Sequence, residues 1–260
     1  MVGLQRAVLD GFAIPAALLG QVWDHTYVES SCGLTWGCFG RKVGGTPICS
    51  QAGSSILADC LSQVGEKAGV RYGFTGVCHQ ASNRILYATR PHPETVRRAR
   101  GYQLSWYSYG EYGVGPWPEK LACDPPGATE AVLGGADMLG FQTGHRDESH
   151  RDLREIIDTA KLDHPIEKWK FDRLAKIQSR FQSIQADLTL QFQAGKIQPD
   201  EYLTRFNAAL REAMKRNEDV LGHDDFVSIF GRAGQVPEGL IDPDVFFSEM
   251  GKEPPKYRSR

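Results

Sequence analysis

The sequence predicts an α+β fold: a cysteine- and glycine-rich α+β part over residues 1–123, followed by a helical hairpin. Three observations predict it. Short period-two stretches and glycine-rich turns alternate with short amphipathic segments up to about residue 110. From about Ser149 onward, apolar residues recur three and four apart over long stretches. Between the two, Asp124-Pro-Pro-Gly127 punctuates the chain, so that 124–148 reads as a linker, 149–232 as the hairpin region and 233–260 as an extended or disordered tail.

Residues 4–20 read as a helix or mixed segment broken at Pro15. Gln21 to Glu29 is rich in β-branched and aromatic residues and predicts a strand. Its alternation puts Trp23, His25, Tyr27 and Glu29 on one face, and Val22, Asp24, Thr26 and Val28 on the other. Ser30 to Gly45 is a glycine-dense hairpin or ordered loop with Trp36 and Phe39 as anchors. Ile48 to Val64 reads as a turn entering a helix that carries Ile56, Leu57, Cys60 and Leu61. Thr75-Gly76 leads into a helix on which Ala81, Ser82, Ile85 and Ala88 share a face with Cys78. Tyr102 to Tyr109 alternates like a strand.

The second half is more regular. Phe171, Leu174, Ile177, Phe181, Ile184, Leu188 and Phe192 form one stripe, and Gly195 can end that helix. Pro199-Asp-Glu201 opens the next, with Tyr202, Phe206, Leu210 and Met214 as its stripe. The short connection predicts antiparallel packing. Asp224 or Asp225 can cap a last short helix through Phe230.

Composition excludes several functions. The 260 residues carry a net charge of −2, and the one basic cluster, Arg97 to Arg100, is three arginines, so nucleic acid is not expected. No apolar run reaches the length of a membrane span, and Met1 to Gly20 lacks the pattern of a signal peptide. A cytoplasmic protein is expected, with signal-independent export the other route. The six cysteines, Cys32, Cys38, Cys49, Cys60, Cys78 and Cys123, form no C-x-x-C pair and are expected to be reduced. No lysine-bearing phosphate loop appears, so no cofactor is expected. His145 and His150, with carboxylates between them, form a metal alternative, but a five-residue spacing separates them by about 140° around a helix. No metal is expected.

Chemistry centres on Cys78. A cysteine in the first turn of a helix meets free N–H groups and the positive end of the macrodipole, which favour thiolate. His79, adjacent on the helix, points about 100° away and reads as a half-exposed polar residue. His25, mid-strand between aromatics, is the better base. Trp23, Tyr27 and Trp36 would line the pocket. Cys38, in Trp36-Gly-Cys-Phe-Gly40, is the second candidate nucleophile, and Cys60 reads as core.

A histidine on an early strand, then a glycine-rich excursion, then Cys78-His-Gln-Ala-Ser-Asn-Arg-Ile-Leu86 resembles the circularly permuted papain-like cysteine hydrolases. Among these are the lecithin–retinol acyltransferase-like and permuted cell-wall amidase-like proteins. The resemblance covers about residues 20–90. It implies a small papain-like domain and a cysteine-dependent hydrolase or acyltransferase cleaving an amide of a peptide or cell-wall fragment through a thioester. Cys78 would be the nucleophile and His25 the base, and the Cys78 N–H would be an oxyanion donor. The residue that orients the imidazole has no counterpart: Thr35, Arg41 and Gln51 occupy the region, and Glu29 lies about 13 Å along the strand. The alternative is a non-catalytic protein whose helical arm, within residues 167–221, binds a protein partner.

Overall fold

The computed structural model describes residues 6–15, 22–37, 39–63, 67–89, 93–114 and 145–251, with the side chains of 145–151 outside that description. The fold is α+β. Strands β1 (Arg6–Pro15), β2 (Asp24–Ser30), β3 (Thr35–Trp36) and β4 (Thr46–Ser54) form one antiparallel sheet in the order β3-β2-β1-β4. β1 is a strand where a broken helix is expected. Ala7, Leu9, Gly11 and Ala13 alternate inward while Arg6 and Val8 are exposed, and Pro15 ends the strand where pairing stops. In β1–β2 the register sets Phe12 opposite Tyr27 and Ile14 opposite His25. A shift between Gly11 and Phe12 interrupts the β1–β4 ladder.

Helix α1 (Ser55–Gln63) buries Ser55, Ala58 and Leu61 rather than the Ile56 face, and leaves Ile56 45% exposed. Helix α2 (Cys78–Leu86) is buried at every residue. Tyr102–Tyr109 is also a helix, α3, and not a strand. It is buried nearly all round, so the period-3.6 stripe that marks a surface helix is absent, and its buried serines mimic a strand's alternation.

Helices α4 (His145–Thr159), α5 (Lys168–Gln193), α6 (Pro199–Leu221), α7 (His223–Phe230) and α8 (Pro243–Glu249) complete the described chain. The expected hairpin is α5–α6, with Pro199 at the start of α6 and Gly195 at φ 67° in the turn. It is not a free arm. Its stripes are buried in the same apolar core as the sheet and α2. Phe74, in the loop before α2, lies 4.8 Å from Phe192, 4.5 Å from Tyr202 and 5.4 Å from Phe246, ring centre to ring centre. The hydroxyls of Tyr109 and Tyr202 both donate to the Gly73 carbonyl at 2.9 Å. Tyr202→Phe, which removes one of the two, is expected to lower stability by about 1 kcal/mol in urea denaturation without changing the fold. The expected extended tail is folded as far as Gly251. Asp242 caps α8 through Asp244 N at 2.9 Å, and Phe246 and Phe247 are buried.

Candidate functional site

Cys78 is the first residue of α2, as its sequence context predicts. The cap differs. Thr75 Oγ1 accepts from Arg71 N at 2.9 Å, and the helix start is held instead by Gln80 Oε1, which accepts from Val77 N at 3.1 Å. The thiol is 8% exposed. Burial pushes it up to about 11, against the opposing pull of main-chain and hydroxyl hydrogen bonds from Thr26. Cys78 Sγ lies 4.0 Å from the Asp24 carbonyl oxygen.

The face of β2 that meets α2 is therefore the one carrying Asp24, Thr26 and Val28. Thr26 Oγ1 and Ser82 Oγ are 3.0 Å apart, and Val28 pairs with Gly11, above which Leu86 of α2 packs. His25 and Tyr27 point to the other face. The Tyr27 ring stacks on Phe12 at 5.0 Å, and the His25 ring lies against Gly40, where an added Cβ would sit 3.3 Å from Cε1. Among the described residues no hydrogen bond joins His25 to Cys78. Burial lowers the His25 pKa while the Arg41 main chain opposes it, and among the described residues its buried Nε2 has no hydrogen-bond partner.

His79 is not half-exposed but 2% exposed. Its Nδ1 pairs with Ser105 Oγ at 2.8 Å and its Nε2 with the Asp24 carbonyl at 3.1 Å. Burial pushes it down to about 4, opposed by that carbonyl and by the Asp24 charge. The other polar residues of α2 are tied down in the same way. Asn83 Nδ2 donates to Tyr102 Oη and the Glu111 carbonyl, its Oδ1 accepts from Val96 N, and Arg84 Nη1 donates to the Ala68 carbonyl at 2.9 Å.

Trp23, Tyr27 and Trp36, expected to line a pocket, are core residues between 1% and 6% exposed. Trp36 Nε1 donates to Asp59 Oδ1 at 3.0 Å and Trp23 packs on Gly101, so their surfaces are already covered. Cys38 and Cys123 lie outside the described residues, as do the side chains of His145 and His150. Cys60 is disulfide-bonded, contrary to the expected reduced state, and sits half-buried at the edge of α1 rather than in the core. Cys32, Cys49 and Cys78 are free. Among the described residues no cluster of three or more metal-ligating side chains occurs, and no helix is long and apolar enough to cross a membrane.

Sequence reasoning missed Asp24, Thr26 and Arg100. For Thr26 and the Asp24 main chain the signal was the opposite period-two face of β2, which meets the cysteine-led helix; Arg100 carries no such signal, because it meets the Asp24 carboxylate from 76 residues away.

No family model, curated protein or solved structure matches this chain.

Proposed function

We propose that the protein is a cysteine-dependent hydrolase or acyltransferase acting on an amide, with Cys78 as nucleophile and His25 as base. The observation that supports the reading is a free thiol at the first residue of a buried helix, packed on the strand that bears His25 on its opposite face. In the reaction His25 Nε2 takes the Sγ proton as sulfur bonds the carbonyl carbon. The amide C–N bond then breaks, the departing nitrogen takes that proton, and water hydrolyses the thioester to regenerate the thiol. In this reading the N–H of Cys78, at the open start of α2, would donate to the oxyanion. With the thiol raised and the imidazole lowered, the resting pair is neutral, so the proton moves during attack. His25 stands on the Gly40 side of the sheet, and successive strand side chains point to opposite faces, so the proton transfer requires residues 24–26 of β2 to leave their pairing with β1 rather than a turn of the ring.

Labelling tests this. The rate of iodoacetamide reaction at Cys78 against pH is expected to show an inflection below about 6.5, the imidazole's ordinary value, lost in His25→Ala, besides the thiol's own rise at high pH. A single high-pH rise, identical in His25→Ala, sinks the reading. A second reading, a structural thiol in a non-catalytic scaffold, is favoured by the satisfied hydrogen bonds of α2 and predicts that single rise. The hairpin-docking alternative loses its apolar stripe, because Phe181, Leu188, Tyr202 and Phe206 are spent on the core. The Cys60 disulfide supports an oxidising location over the cytoplasm.

A further inference from the structure

Cys78 and His79 converge on one acceptor, the main-chain oxygen of Asp24. The sheet alone does not hold that oxygen from both sides. β3 pairs with β2 only at Val28 and Glu29, so residues 24–26 have a strand neighbour on the β1 side alone. On the other side stands Arg100. Its main-chain N–H donates to Asp24 Oδ2 at 2.8 Å, and its Nε and Nη2 donate to Oδ1 at 2.9 and 2.7 Å. Asp24 N donates back to the Arg100 carbonyl at 3.2 Å. The carboxylate is 8% exposed and the guanidinium 41%, so the pair closes over Asp24 from the surface.

We propose that Arg100 is a positioning residue for Cys78, acting through Asp24. A two-pronged guanidinium grip with two main-chain bonds restrains the Asp24 peptide while β2 stays paired in the sheet, and the Asp24 carbonyl then sets where the thiol hydrogen points. The titratable groups around that thiol are Asp24 and His25 on β2, Tyr72 in the preceding loop and His79 on α2. Of these, the Asp24 carboxylate is the one ion-paired across the end of the strand.

This inference deepens the thiol reading and rests on Cys78 being the reacting group. Its readout is the high-pH rise of labelling rather than the His25 inflection, so the two can fail separately. In the full chain, Arg100→Gln combined with Asp24→Asn, which removes both charges together and leaves the Asp24 carbonyl in place, is expected to lower the midpoint of the Cys78 rise by about one pH unit, making labelling near pH 8 about tenfold faster. Arg100→Lys keeps the charge but not the fork and is expected to move it by less. Cys49 on β4, also pushed up to about 11 by burial, is the internal control. An unchanged Cys78 midpoint overturns the proposal. So does a parallel acceleration of Cys49, which reports general loosening. Should the double variant fail to fold, Arg100→Lys decides on the same two criteria.

Discussion

Gly101→Ala is expected to destabilise the protein by about 4 kcal/mol, from backbone strain and overpacking together. Gly101 precedes α3 at φ +81°, a left-handed conformation that costs any residue with a Cβ. The added methyl would lie 2.2 Å from Trp23 Cε3 and 2.5 Å from Cζ3. Trp23 is 5% exposed and packed in the core, so the ring cannot swing away without opening a cavity. The same displacement would pull Arg100 from Asp24, the next residues on either side of the contact. Urea denaturation checks the value, and a loss under about 1 kcal/mol would show that Trp23 yields freely.

Acid is expected to act through His79. Between about pH 8 and pH 4.5 the protein should lose about 2.5 kcal/mol of stability on account of this residue. The sign follows from the shift: the folded pKa, about 4, lies below the unfolded value of 6.5. Within that window the unfolded chain binds the extra proton and the native state does not, so the contribution is whole above about 6.5 and drains away as pH falls towards 4. His25, also lowered by burial, adds in the same direction. His79→Gln should flatten the slope of unfolding free energy against pH over this window. An unchanged slope in that variant would assign the acid sensitivity elsewhere.

Part of this molecule is legible in its residues and part is not. The hairpin α5–α6 and the start of α2 at Cys78 could be read because a stripe or a turn signal repeats locally along the chain. β1 and α3 are read wrongly from local pattern for different reasons: the outward face of β1 carries the apolar Val8, Phe12 and Ile14, which blurs its period-two alternation, and α3 is buried nearly all round, so it has no wet face to mark a helical period. The folded tail is invisible locally because Phe246 finds its cover on Phe74 and Tyr202, far away in sequence.

The residues by themselves determined the α+β class, the long antiparallel helices and a cysteine at a helix start, all consequences of neighbours within a few positions. Only the tertiary structure decided which face of β2 meets that cysteine, that His79 is sealed rather than wet, and that Arg100 grips Asp24. Those outcomes depend on burial and on contacts between residues as many as 76 positions apart, and no local pattern encodes them.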